Sequence, residues 1–274
     1  MKNLVTRSLS GIVYVALIVL SVLGGWDWFG LLSIVFTAFA VIEFEKIVVG
    51  PKAAGVRNGL IALDVVTALI VVSIMHFLDC PYWLLGTFAL LILCYTLIRF
   101  TLALYDKSAT AFADCGWSVL TIVYIAVPFA MLNAMSLYCE PWQTVVLAMF
   151  IMIWLNDTGA YCVGSLCGKH KMFPRLSPKK SWEGFAGGLI FCIAAGVAAA
   201  FLFPDIFSLP LWILFGIMVC ALSTWGDLFE SLLKRSHAIK DSGHLIPGHG
   251  GILDRIDSLL FVSIGVFVFT LLFV

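Results

Sequence analysis

Charged residues are scarce in this sequence. Only 12% of the 274 residues are Asp, Glu, Lys or Arg, and 16 basic side chains balance 16 acidic ones. Soluble domains are about a quarter charged, so this scarcity argues against a soluble globular domain. The zero net charge also leaves no overall basic surface of the kind that binds nucleic acids, and we expect no nucleic-acid partner.

Two other patterns are absent. The eight cysteines include no C-x-x-C pair, which argues against a zinc site or a thioredoxin-like redox centre. Ten-residue segments of alternating polarity, typical of a membrane β-barrel, are also missing. Cys80 and Cys139 both fall in predicted outer loops, where a disulfide could form, but we predict two free thiols.

Long apolar runs are plentiful instead. The hydrophobic set makes up 62% of the chain, and the mean hydropathy is +1.08. A helix needs about 20 apolar residues to cross the hydrocarbon core of a bilayer, and helices satisfy their own backbone hydrogen bonds there. The predicted fold is therefore an all-α, polytopic transmembrane helical bundle. Its nine predicted spans are Leu9–Gly24, Phe29–Val49, Gly59–Leu78, Trp83–Leu104, Trp117–Leu137, Thr144–Gly164, Gly184–Phe203, Leu211–Leu233 and Ile252–Val274.

The basic residues predict how these spans are oriented. With nine spans, every Lys and Arg falls on one face of the membrane. The charged residues in the loops on the opposite face are all acidic. Cytoplasmic loops are enriched in Lys and Arg. We therefore expect an inner-membrane protein whose N-terminus is cytoplasmic and whose C-terminus is outside.

Two long polar segments, Ser165–Glu183 and Lys234–Gly251, lie on the predicted cytoplasmic face. Because the outer loops are short, we expect the chemistry to occur at the cytoplasmic face. We predict a scaffold region at residues 1–140, with five spans and candidate dimer contacts. The catalytic region is predicted at residues 141–274, with four spans and the two polar segments.

Several acidic residues lie within or at the ends of the predicted spans, where an ionised group costs about 2.5–3.5 kcal/mol at mid-bilayer. Among them are Glu43, Asp64, Asp157, Asp227, Glu230, Asp254 and Asp257. Clustered carboxylates stay ionised only with cations between them, and Mg²⁺ prefers oxygen ligands. We therefore predict that Asp227, Asp254 and Asp257 bind a metal ion. Ion pairing with Lys234, Arg235 or Arg255 is the alternative, and the roles of Glu43 and Glu230 stay open.

The segment Ser177–Gly184 opens the seventh predicted span. Either of its serines, Ser177 or Ser181, would cap the helix. A helix N-terminus beside Lys179 and Lys180 suits an anionic phosphate group. An ordinary basic loop that contacts acidic lipid headgroups would have the same composition, so this segment alone leaves both interpretations open.

Polar residues also interrupt the sixth predicted span, at Asn156 and Asp157. They should face the bundle interior, where they would contact a cation, a nucleotide or only another helix. Further along, the loop Lys240–Gly251 contains four glycines, and glycines let backbone N–H groups approach phosphates closely. Its histidines lack helical metal-ligand spacing, so zinc is not predicted.

The stretch from Ser231 to Asp257 resembles the signature of phosphatidate cytidylyltransferases over 27 consecutive residues. The stretches Asn156–Tyr161 and Ser177–Gly184 are similar to other motifs of that family. The resemblance implies transfer of CMP from CTP to phosphatidic acid, giving CDP-diacylglycerol and pyrophosphate for phospholipid biosynthesis. It also implies Mg²⁺ on Asp227, Asp254 and Asp257, with K⁺ as a candidate second cation, and a homodimer among membrane lipids.

These observations give a set of predicted site residues. The predicted catalytic residues are Asp227, Asp254, Asp257, Lys179, Lys180 and Arg255. The predicted substrate-binding residues are Asn156, Asp157, Tyr161, Ser177, Ser181, Glu183, Lys234, Arg235, Lys240, Asp241, His249, Gly250 and Gly251.

Two other functions compete with this interpretation. A CTP-dependent lipid kinase would transfer the γ-phosphoryl group to a lipid alcohol. An ion-coupled transporter would use Asp157, Asp227 and Asp254 as a relay. Transporters place such sites near the membrane midplane, whereas the polar residues of this chain collect at one face.

Overall fold

The computed structural model describes residues 2–49, 54–77, 81–246 and 250–274, without the side chains of residues 2–8, 54, 77 and 81–85. Within these ranges the regular secondary structure is helical apart from one short hairpin and an isolated bridge. It divides into two compact units, Met1–Leu137 with Asp241–Asp254 and Tyr138–Lys240 with Arg255–Val274. The division into functional regions 1–140 and 141–274 stays a prediction.

The first unit is helical in its described part. Its helices are α1 Lys2–Leu23, α2 Trp26–Val48, α3 Ala54–Phe77, α4 Pro81–Tyr105, α5 Ala111–Thr121 and α6 Val127–Tyr138. A π-helical segment, Ile122–Ala126, joins α5 to α6 without a break. Helix α2 packs against α1, α3 and α5 and therefore lies at the centre of this unit.

The second unit combines long helices with a hairpin. Its elements are α7 Trp142–Cys167, β1 Lys171–Phe173, β2 Ser177–Ser181, α8 Trp182–Leu202, α9 Leu209–Ser236 and α10 Leu253–Phe273, the last from Arg255 onward. Helix α8 packs against α7 and α9, which also contact each other, and β2 contacts α7 and α8. The hairpin is thereby held against these helices.

Seven helical segments of the described chain are long and apolar enough to cross a membrane. They are Gly55–His76, Gly86–Tyr105, Ala111–Tyr138, Trp142–Cys167, Trp182–Leu202, Leu209–Ser236 and Leu253–Phe273. Helix α2 is not among them, and Leu9–Leu23 of α1 is a shorter apolar helix. These segments support a polytopic membrane protein, while the count of nine spans and the orientation of the termini stay predictions.

The hairpin is a feature that the all-α prediction missed. Its two strands run antiparallel, with Lys171 opposite Ser181 and Phe173 opposite Ser177. The strands have three and five residues, too short to give a recognisable alternating pattern. The polar segment between α7 and α8 is therefore a structured element and not an open loop.

A polar cluster lies buried in the first unit. The hydroxyl of Tyr95 donates to Asp64 Oδ1 at 2.6 Å, and Arg99 Nη1 lies 3.8 Å from the same oxygen. Thr121 donates to Glu45 Oε1 at 2.5 Å, and the side chains of Asp64, Arg99 and Glu45 are at most 4% exposed. Asp64, an acidic residue within a predicted span, thus has an internal cationic partner.

Replacing Arg99 with methionine should strongly destabilise the fold. The change leaves Asp64 and Glu45 buried without their cation, and breaking a buried pair in this way costs about 3–5 kcal/mol. Thermal unfolding in detergent would measure the loss, with the exposed Arg57 replaced by methionine as the control. Equal melting temperatures for the two variants would contradict a structural role for the cluster.

Cys139 is buried and has a free thiol. Burial, followed by the nearby Glu140 carboxylate, raises the pKa of this thiol. Cys80 lies outside the described residues.

Candidate functional site

Close packing between α7 and α8 positions the first site residues. A Cβ atom on Gly159 would lie 2.8 Å from the carbonyl oxygen of Gly187, and a Cβ atom on Gly188 would collide with the side chain of Asn156. Small residues at such contacts let two membrane helices approach closely. Asn156 is consequently held against the backbone of α8.

A cavity of about 560 Å³ opens in the second unit between α7, the hairpin, α8 and α9. Ligand sites typically enclose about 300–1,000 Å³. Seven of the predicted site residues line it: Asn156, Asp157, Tyr161, Lys179, Lys180, Ser181 and Asp227. The structure therefore brings together residues that are up to 71 positions apart in the chain.

An ion pair spans this cavity. Lys180 Nζ, on β2, lies 2.6 Å from Asp227 Oδ2, on α9, and it donates to the carbonyl oxygen of Thr224 at 3.5 Å. Ser231 donates to the other oxygen of Asp227 at 3.3 Å. The side chains of Lys180 and Asp227 are 26% and 36% exposed, so the pair is accessible to a ligand that enters the cavity.

Asn156 links three helices at the inner wall of the cavity. Its Nδ2 donates to Ser223 Oγ at 3.3 Å, and the carbonyl oxygen of Ser223 accepts from Ser258 Oγ at 3.1 Å. Its Oδ1 is buried and has no hydrogen-bond partner among the described residues. This oxygen faces Gly188 of α8.

Ser181, and not Ser177, caps α8. Ser181 Oγ accepts from the N–H of Gly184 at 3.1 Å, whereas Ser177 is part of β2. Glu183 accepts from the backbone N–H groups of Lys169 and His170 at 3.2 and 3.1 Å. The carboxylate of Glu183 therefore fixes the entrance to the hairpin, and it does not line the cavity.

Three carboxylates of the second unit, those of Asp157, Asp227 and Asp257, repel one another electrostatically. Asp257 Oδ1 also accepts from the N–H of Ser258 at 2.6 Å. Across the ranges that the structure describes, no three acidic, histidine or cysteine side chains are arranged closely enough to hold a metal ion. Carboxylate oxygens are nevertheless the ligands that Mg²⁺ prefers. Lys180 supplies part of the positive charge that these three carboxylates require.

The described part of the glycine-rich loop from Asp241 onward belongs to the first unit, where Asp254 accepts hydrogen bonds from it. Asp254 Oδ2 accepts from the N–H groups of Ser242 and Gly251 at 3.0 and 2.8 Å, and from Ser242 Oγ at 3.0 Å. Gly250 adopts a positive φ of 88°, which only glycine adopts readily. The predicted substrate residue His249 lies outside the described residues.

Comparison with known proteins identifies the family of this chain. The Cytidylyltransferase family matches residues 5–273. The chain belongs to this family.

Its relatives include several proteins named phosphatidate cytidylyltransferase. One from Staphylococcus saprophyticus is 38% identical over 204 residues, which cover 72% of this chain and 75% of the relative. One from Staphylococcus epidermidis is 35% identical over 206 residues, with the same two coverages. One from Staphylococcus aureus strain COL is 40% identical over 161 residues, covering 57% of this chain and 59% of the relative.

Two further predicted site residues of this family member, Lys234 and Arg235, lie in the last turn of α9. Lys234 forms an ion pair with Glu230, while Arg235 donates to the carbonyl oxygens of Leu176 at 3.4 Å and Ile239 at 3.0 Å. Glu230, an acidic residue within a predicted span, is thus paired with Lys234, whereas Asp227 pairs with Lys180. Lys240, Asp241 and Arg255 are exposed.

Some residues of the cavity are not among those predicted from the sequence. Lys171 and Thr224 line it, and Ser223 holds Asn156. Ser223 and Thr224 precede Asp227 by four and three positions, which is the spacing of one helix face. That spacing is a readable signal, whereas the position of Lys171 depends on the hairpin.

Proposed function

We propose that this chain transfers the cytidylyl group of CTP to phosphatidate, producing CDP-diacylglycerol and pyrophosphate. The observation that carries the proposal is the cavity in which Lys179 and Lys180 meet Asp157 and Asp227, in a chain whose relatives are named for this activity. Family membership also favours group transfer over ion transport.

The reaction requires little proton transfer. The phosphate of phosphatidate is already ionised, so one of its oxygens attacks the α-phosphorus of CTP directly. The new bond joins this oxygen to the α-phosphorus, and the bond from the α-phosphorus to the bridging oxygen breaks as pyrophosphate leaves. The main barrier is electrostatic because two anions must approach each other, and fixed positive charges lower such a barrier.

The lysines of the hairpin fit this requirement. Lys179 and Lys180 both line the cavity, and we assign them, with Arg255, to the negative charge on the departing pyrophosphate. Asn156 and the exposed Tyr161, which both line the cavity, would contact the nucleotide. The predicted nucleotide contacts of His249, Gly250 and Gly251 rest on the sequence.

A divalent cation would complete the proposed site. Asp227 and Asp257 of the second unit would hold it through carboxylate oxygens, and Asp254 is the third ligand predicted from the sequence. When bound, Mg²⁺ neutralises phosphate charge and helps to orient the reacting groups. K⁺ as a second cation and assembly as a homodimer stay predictions.

The lipid substrate determines where the reaction takes place. Phosphatidate carries two acyl chains, which would stay in the bilayer while its phosphate enters the cavity. The basic residues of the hairpin support a cytoplasmic position for this cavity in an inner membrane. CTP would then reach the site from the cytoplasm.

Purified protein with phosphatidate, Mg²⁺ and CTP labelled at the α-phosphorus should form a labelled lipid. With label at the γ-phosphorus, the radioactivity should appear only in pyrophosphate. A lipid kinase would give the reverse result, with γ-label in the lipid. Diacylglycerol in place of phosphatidate is the control acceptor and should give no labelled product. Absence of α-label from the lipid would disprove the proposed function.

A further inference from the structure

Glu43 is an acidic residue of α2 that belongs neither to the ion pairs nor to the cavity described above for the site. It lies near the C-terminal end of α2, and only 9% of the residue is exposed. A carboxylate buried in a membrane protein is costly unless it has partners. Glu43 has hydrogen-bond partners in the glycine-rich loop of the same unit and at the start of α10, which follows this loop.

Two hydrogen bonds connect Glu43 to this segment. Its Oε2 accepts from the N–H of Leu253 at 2.9 Å and from Ser242 Oγ at 3.2 Å. Leu253 is the first residue of α10, and N–H groups at that position have no partner within their own helix. The carboxylate of Glu43 therefore caps α10 from a helix more than 200 residues away in the sequence.

Two glycines make room for this contact. A Cβ atom on Gly243 would lie 2.6 Å from Glu43 Oε1, and a Cβ atom on Gly251 would collide with both Glu43 Oε2 and Ser242 Oγ. The loop backbone is thus pressed directly onto the carboxylate. Glycine at these two positions is explained by this close approach.

Ser242 connects Glu43 to Asp254. Its hydroxyl lies 3.2 Å from Glu43 Oε2 and 3.0 Å from Asp254 Oδ2, and its backbone N–H donates to the same oxygen of Asp254. Movement of Ser242 would therefore disturb both carboxylates. The position of Asp254 within the first unit depends on a network that begins at Glu43.

From these contacts we infer that Glu43 is a positioning residue for cytidylyl transfer, holding the glycine-rich loop and Asp254 in place. This inference rests on the proposed function. Glu43 does not touch substrate; it acts through hydrogen bonds that only an acceptor of the right reach can make.

Three substitutions of Glu43 distinguish a role in positioning the loop from a role of its negative charge. In Glu43→Gln the side-chain carbonyl oxygen still accepts from Leu253 and Ser242, so kcat/KM should stay within about 10-fold of wild type. Glu43→Asp keeps the charge but is one methylene shorter, and Glu43→Ala removes the acceptor. Both should lower kcat/KM by about 100-fold, since small misplacements of reacting groups have effects of this size. Glu140→Gln and Glu140→Ala, at an exposed glutamate, are the matched controls.

Hydrogen–deuterium exchange provides a readout that does not depend on activity. Glu43→Asp and Glu43→Ala should accelerate exchange in residues 242–254 by about 10-fold or more, while Glu43→Gln and both Glu140 variants should not. Ser242→Ala should have the same effect on exchange, and combining it with Glu43→Ala should add little because the two residues share one network.

Several results would overturn the inference. One is wild-type activity and exchange in Glu43→Ala; another is rescue by Glu43→Asp but not by Glu43→Gln, which would indicate a role of charge. Lost activity with unchanged exchange in residues 242–254 would also overturn it. If the wild-type protein makes no CDP-diacylglycerol, the proposed function is wrong, and the exchange pattern alone decides whether Glu43 fixes the loop.

Discussion

Asp257→Asn should lower cytidylyl transfer by about 1,000-fold or more, because the proposed metal site loses one of its carboxylates. A bound metal ion contributes several kcal/mol to transition-state stabilisation, and each factor of ten in rate corresponds to about 1.36 kcal/mol. Asparagine has nearly the same shape and can still accept from the N–H of Ser258. Initial rates over a Mg²⁺ titration would measure the effect, and we expect saturation to require more Mg²⁺ than in the wild type.

The same substitution should leave the fold intact. Asp257, Asp227 and Asp157 repel one another, so removing one charge should maintain or raise the melting temperature in metal-free detergent. Asp205→Asn, at an exposed aspartate between α8 and α9, is the control and should match the wild type in both measurements. Near-wild-type activity of Asp257→Asn with an unchanged Mg²⁺ titration would exclude Asp257 as a metal ligand.

Lys180→Met should lower kcat/KM by about 100- to 1,000-fold, the range seen when one preorganised electrostatic contact to a transition state is removed. Its ammonium group lies in the cavity, 2.6 Å from Asp227, where it would meet the phosphates of CTP. Partly exposed ion pairs add only about 0–1 kcal/mol to stability. The rate should therefore fall much more than the melting temperature, and both quantities can be measured on the same purified sample.

A nearby lysine provides the control. The side chain of Lys169 is exposed and does not line the cavity, so Lys169→Met should retain activity within about threefold of wild type, as exposed charges are screened. Lys180→Arg keeps the charge and should recover part of the lost rate. Equal losses of kcat/KM in Lys180→Met and Lys169→Met would mean that the basic residues of this segment act only by attracting acidic lipid headgroups.

The helices are the most predictable part of this molecule because apolarity alone determines which segments can lie in lipid. Each of the nine predicted spans overlaps a helix of the described chain, and seven helical segments there are long and apolar enough to cross a membrane. The boundaries differ by several residues; α9, for example, extends from Leu209 to Ser236, beyond the predicted Leu211–Leu233. Polar ends of helices carry no apolar signal, which explains these differences.

The residues of the cavity are predictable as separate motifs but not as pairs. Asn156, Lys180 and Asp227 each stand out within their own segment, yet the contact between Lys180 and Asp227 depends on the hairpin. Glu183 is a predicted substrate residue, whereas its carboxylate holds the backbone of Lys169 and His170. Local spacing identifies candidates, but contacts between elements decide which atoms remain available.

Glu43 marks the limit of sequence reasoning. The sequence shows it only as a charge in an apolar helix and leaves its role open. Its partners are Ser242 and Leu253, separated from it by 199 and 210 positions. No pattern within one segment reveals such a contact.

The grouping of residues 241–254 with the N-terminal helices has a consequence for how this gene can be divided. A truncated chain that starts at Tyr138 would contain α9, α10 and the whole signature, yet its glycine-rich loop would lack the acceptor on α2 that caps α10. A fragment ending at Leu137 would keep that acceptor with nothing to bind. Recombination between homologous genes at this boundary should therefore be tolerated only when one parent supplies the acceptor on α2 and the other a loop that can donate to it.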